Sequence, residues 1–117
     1  MKLKYLIIYI IFFTPVFVLC KNTFVEGLSD VPAYKKMINV KDSLVLFDKL
    51  DGRYVSSEIV GDYEEVEVRK FYGKVLPNLG WEEINKDHFR RDNEIMEIKY
   101  MNEKNSLRLI FSITPKK

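Results

Sequence analysis

The chain has 117 residues, 47% hydrophobic and 31% charged, with 19 Lys+Arg against 17 Asp+Glu, one histidine and one cysteine. That length suits one small domain. The counts leave no room for an intrachain disulfide, a histidine-based metal cluster or a strongly basic nucleic-acid surface.

Lys2 and Lys4 precede an apolar run from Tyr5 to Cys20. A positive stretch followed by an apolar one is the order of a secretory signal. The run is shorter than the roughly 20 residues a spanning helix needs, and Pro15 interrupts it. Residues 1–20 are therefore expected to be a signal peptide or an N-terminal membrane anchor. The chain beyond is expected to be exported to the periplasm or cell envelope. Cleavage after Cys20 would make Lys21 the new N-terminus. Cys20 is also a lipidation candidate, although Leu19 and Phe17 depart from the usual lipobox pattern. Loss of Lys2 and Lys4 with the leader brings the two signs of charge into balance. Long-range attraction to nucleic acid or to an anionic membrane then has no source. Membrane contact is expected only through residues 1–20, if they are retained.

Residues 21–42 lack a clear period. Gly27, Asp30 and Pro32 are mixed with Phe24, Val25, Leu28, Val31, Met37, Ile38 and Val40. So many apolar residues predict an irregular arm packed on the domain, with a helical turn at Ala33–Met37, rather than a flexible spacer.

Residues 43–117 are expected to form an α+β domain. Leu44-Val45-Leu46-Phe47 and Arg53 to Val60 read as two strands of a hairpin around Asp51-Gly52. Asp62 with Glu65 three residues on resembles a capping box, and Glu64, Glu65 and Glu67 suit a helix N-terminus. Val68, Phe71, Tyr72, Val75 and Leu79 recur at helical spacing. Pro77 should end or kink the helix near Leu76. Strand signals resume at Trp81–Ile84, His88–Arg91, Glu94–Met101 and Leu107–Ile113. They are separated by Asn- and Asp-bearing turns at 85–87, 92–93 and 102–105. The expected architecture is one helix packed on an antiparallel sheet of about four to five strands, in the order ββ-α-βββ.

Chemistry is sparse. The single histidine, His88, sits in a polar context and suits a surface position. No nucleophile elbow, phosphate loop or dinucleotide fingerprint is present. Glu64-Glu65 and Glu82-Glu83 point to different sides and read as solvated. Asp48 and Asp51 near Arg53 supply too few ligands for a calcium loop. No cofactor, metal or catalytic residue is expected. The aromatic residues say more. Phe71, Tyr72 and Trp81 flank the helix and its exit. They suit the core; the functional alternative is an apolar groove lined by Trp81, with Arg53 or Arg91 as a polar handle.

Several segments together resemble a group of small exported proteins of alphaproteobacterial type. They are Gly27-Leu28-Ser29-Asp30-Val31-Pro32, Met37, Phe47-Asp48 with Asp51-Gly52-Arg53, Phe71-Tyr72, Leu76-Pro77, Leu79-Gly80-Trp81 and Phe89-Arg90-Arg91. The resemblance covers nearly all of residues 21–117, and the helix exit up to Trp81 is its most specific part. It implies one exported domain and carries no catalytic residues. The function expected is that of a non-catalytic envelope or periplasmic protein, either a structural accessory domain or one that binds another envelope protein, with a sheet edge as the candidate surface. The alternatives are a small carrier of an apolar ligand with a groove near Trp81 and a carboxylate-based hydrolase.

Overall fold

The computed structural model describes residues 23–116, so the expected leader, Cys20 and Lys21 lie outside the described residues. The elements run β1 (Ile38–Asn39), β2 (Val45–Lys49), β3 (Gly52–Gly61), α1 (Glu65–Asn78), β4 (Glu82–Asn85), β5 (His88–Arg91), β6 (Glu94–Glu103) and β7 (Ser106–Pro115). The class is α+β, with one helix among the described residues and a wholly antiparallel sheet. The chain order is βββ-α-ββββ, which corrects the expected ββ-α-βββ. One added strand is β1, where Ile38 and Asn39 pair with Val60 and Ile59. A pairing that short leaves no period of two in the sequence. The other comes from β4 and β5, which are separate strands on either side of the Lys86-Asp87 turn.

The sheet runs β1-β3-β7-β6-β5-β4, with β2 also paired to β3. β1 and β2 thus share the outer edge of β3, one after the other. The meander β4 to β7 is joined by short turns. Asp87, Asp92 and Asn105 take positive φ in them, a conformation these side chains tolerate. The meander brings β7 back beside β3, where the two pair from Val55↔Ile113 to Gly61↔Leu107. α1 carries the chain from β3 to β4, four strand spacings away, or about 19 Å. Its 14 residues span about 21 Å, which matches that distance.

The helix departs from expectation at both ends. Glu64, not Asp62, is the N-cap, and no side chain caps it. Tyr63 is drawn towards the arm instead. Its hydroxyl accepts the Lys36 N–H at 3.0 Å, and its ring meets Tyr34 edge-on. Glu65 bonds to Arg69 and Asn102 rather than reaching back to the cap. Pro77 lies inside the last turn. The bond it cannot make would go to the carbonyl of Gly73, and both residues are exposed, so that carbonyl is open to solvent.

One face of the sheet is buried. Val55 and Ile59 of β3, Leu107, Leu109, Phe111 and Ile113 of β7, Met96 and Ile98 of β6 and Phe89 of β5 point into it. Val68, Tyr72 and Leu76 of α1 cover part of this face. Val25, Leu28, Val31, Ala33, Tyr34 and Met37 of the arm belong to the same cluster. The arm is therefore part of the core rather than a cover laid over it. Gly27 lets it approach: its φ is +83°, and a Cβ there would lie 2.6 Å from Leu44 Cδ1. No helix of the described residues is long and apolar enough to cross a membrane.

Candidate functional site

Trp81 follows a tight helix exit. Leu79 N–H and Trp81 N–H both donate to Leu76 O, and Gly80 turns the chain at φ +91°. The Trp81 side chain is 1% exposed. The Arg91 guanidinium lies 4.3 Å from the centre of its ring. Arg91 in turn donates to Asp30 at 2.6 Å and to Leu79 O at 2.9 Å. Arg53 makes a two-pronged pair with Glu94 at 2.6 and 3.1 Å, and that pair holds its guanidinium charged. Glu94 is the cross-strand neighbour of Arg91. The structure thus brings Trp81, Arg91 and Arg53 to one end of the buried face, with each arginine already paired.

Phe71 and Tyr72 belong to another group. Their rings meet each other edge-on, Phe71 meets Tyr34 and Tyr72 meets Phe111. The Tyr72 hydroxyl donates to Pro32 O at 2.8 Å, and burial pushes its pKa far above the ordinary value. The aromatic residues singled out in the sequence therefore knit the arm, the helix and the sheet together.

Several other titratable residues are engaged. His88 Nε2 lies 3.4 Å from Glu97, and its Nδ1 is 2.9 Å from Lys86 O. Asp51 accepts from the Tyr54 hydroxyl, and Glu82 pairs with Arg90. A cleft of about 700 Å³ lies at the start of α1, lined by Asp62, Glu64, Glu65, Glu67 and Glu103 among others. The hydrogen bond from Arg69 is the main influence on the Glu65 carboxyl; it outweighs burial, which acts the other way, and with a further bond from Asn102 it holds the pKa below the ordinary value. A general acid needs the opposite shift. Among the described residues no group of three or more His, Cys, Asp or Glu could hold a metal ion.

β2 is an exposed edge strand of the sheet. All five of its residues are exposed. Val45, Leu46 and Phe47 are 52%, 56% and 46% exposed, and Leu50 at the hairpin tip is fully so. Phe47 stacks on Tyr54 with ring centres 5.1 Å apart, and the Lys49 ammonium lies over both rings. Beside them a shallow groove of about 210 Å³ runs along the open face, lined by Val45, Phe47, Tyr54, Ser56, Ser112 and Thr114. Ile38 of β1 adds a further exposed apolar residue on the same edge.

The backbone of β2 is half used. Glu58 N–H donates to Ser43 Oγ, and Glu58 O accepts from Val40 N–H. The main-chain groups of Glu58 thus face this edge, and so do those of Ser56 and Tyr54 by alternation. Their partners Val45 and Phe47 point inward to β3. The N–H and C=O groups of Leu46 and Asp48 consequently point outward, with no partner among the described residues. Sequence reasoning found the strand at 44–47 but not its exposure. Three consecutive apolar residues do not tell a core strand from an uncovered edge; a full-length neighbour does, and β2 has one on a single side only. Compared with known proteins, the chain matches no family model, no curated protein and no solved structure.

Proposed function

We propose that this is an exported, non-catalytic envelope protein that binds another protein by taking up one of its segments as a strand along β2. The observation that carries the proposal is an apolar edge strand whose outward N–H and C=O groups have no partner among the described residues. Edge strands are normally shortened, charged, bulged or covered, because an open one recruits other chains. Here Val45, Leu46 and Phe47 stand on such an edge without cover from the described residues. Strand addition would satisfy the backbone of Leu46 and Asp48 and cover the groove beside Phe47 in one step. The apolar leader and the resemblance to small exported proteins support the location. The alternative of an apolar carrier near Trp81 has less support, because Arg91 and its partners already cover that ring.

The test compares the wild-type chain with Leu46→Pro as bait in an envelope extract. Leu46 N–H points outward, so proline there removes no bond to β3 but blocks an incoming strand. A species bound by the wild type and lost with Leu46→Pro, in a complex that slows amide exchange in β2, is the expected result. Binding that is indifferent to the proline would overturn the proposal.

A further inference from the structure

Resting on the strand-addition proposal, we infer that the incoming segment belongs to a different protein and has a defined charge order. In antiparallel register it places an acidic residue opposite Lys49, a basic residue opposite Asp48 and apolar residues opposite Phe47, Leu46 and Val45. Every pairing in the sheet is antiparallel, so the added strand continues the pattern. Residues directly opposite each other share a face of the sheet, and opposite charges there are favourable. Phe47 falls in a non-hydrogen-bonded pair with the new strand, where side chains approach most closely. An apolar residue facing it would also cover the groove lined by Val45 and Tyr54.

A second copy of this chain cannot supply this charge order. Two β2 strands pairing about a two-fold axis keep each face of the sheet continuous. Asp48 and Lys49 are adjacent, so their side chains lie on opposite faces. No two-fold register can therefore set Asp48 against Lys49 of the other copy. Centring on Phe47 sets Asp48 against Leu46 and Lys49 against Val45; centring on Leu46 sets Val45 against Phe47 but leaves Asp48 facing Leu44 and Lys49 facing Ser43; centring on either charge sets like against like. A bilayer fits poorly too. Hydrocarbon cannot satisfy the outward N–H and C=O groups of Leu46 and Asp48, and Asp48 and Lys49 would have to leave water.

The experiment uses the exported part of the chain and short fluorescent peptides in extended sequence. One reads acid–base–apolar–apolar–apolar from its N-terminus; a second exchanges the acid and the base. A third carries proline at the positions facing Leu46 and Asp48. The first is expected to bind roughly tenfold more tightly than the second, and the third is not expected to bind. Lys49→Glu, at an exposed position opposite Gly52, should narrow or reverse the preference. Equal binding of the first two, with the proline peptide inactive, would overturn the charge order and leave strand addition standing. Failure of the first two peptides, or equal binding of all three, would overturn strand addition with it. Concentration-dependent dimerisation abolished by Leu46→Pro would identify a second copy as the occupant. Co-sedimentation with vesicles of phosphatidylethanolamine and phosphatidylglycerol, unaffected by Leu46→Pro, would identify a membrane; either result would overturn the inference.

Discussion

Ser57 and Trp81 each bury a polar atom without a partner among the described residues, the Ser57 hydroxyl and the Trp81 indole N–H. Ser57 lies on the core face of β3 opposite Phe111. Ser57→Ala removes an unpaired hydroxyl and little volume, so we expect stability to rise by about 1 kcal/mol, seen as a higher urea midpoint. Trp81→Ala leaves a large void below Arg91 and should cost about 3–5 kcal/mol by the same measurement. Glu65 gives the pH dependence. Its carboxyl titrates below the ordinary value of 4.5 because Arg69 donates to it. The pair therefore contributes stability above that value and loses the contribution as pH falls through the lowered pKa. It is a partly exposed i,i+4 pair, so the effect should be about 0.3–0.5 kcal/mol. Glu65→Gln should lose that increment at neutral pH and converge with the wild type in acid. The residue types at the turns were readable in advance, because Asp87, Asp92 and Asn105 belong to the few side chains that accept positive φ. Ser57 was not, since nothing in its neighbours marks a buried hydroxyl.

Individual elements differ in how much of their setting lies within them. β7 alternates buried and less buried residues along its length, and the period of two in Leu107, Leu109, Phe111 and Ile113 announces it. α1 carries its buried stripe at Val68, Tyr72 and Leu76; the helical spacing announces Val68 and Tyr72, whereas Leu76 takes the buried place expected of its neighbours and Phe71, Val75 and Leu79 are only partly buried. Its start was misplaced because Tyr63 pairs with Tyr34 and Lys36, residues far away in sequence. β2 is the contrary case: its residues favour a strand, while its missing neighbour appears only in the sheet. Its two kinds of position give a direct test. Phe47→Pro removes an N–H directed at β3 and should cost about 3 kcal/mol. Leu46→Pro removes one directed at solvent and should cost less than about 1 kcal/mol. Chemical denaturation of the two variants checks the register before any partner is known.

Across the whole molecule, arm, helix and sheet share one cluster of buried residues. They should unfold together: Trp81 fluorescence and far-ultraviolet circular dichroism are expected to give coincident denaturation curves. A separate early transition assigned to the arm would contradict the shared core. The sequence by itself determined the apolar leader pattern, the α+β class, the helix stripe and most of the turns, because these follow from local periods and from the φ preferences of single residues. It also placed Trp81, Phe71 and Tyr72 as candidates for core or groove. Only the tertiary structure decided which residues meet them, how Arg91 covers Trp81, and that β1 and β2 split the outer edge of β3. Those outcomes depend on which segments come together across tens of residues. An edge strand is exposed because a neighbour is missing, and a missing neighbour leaves no mark in the strand's own composition.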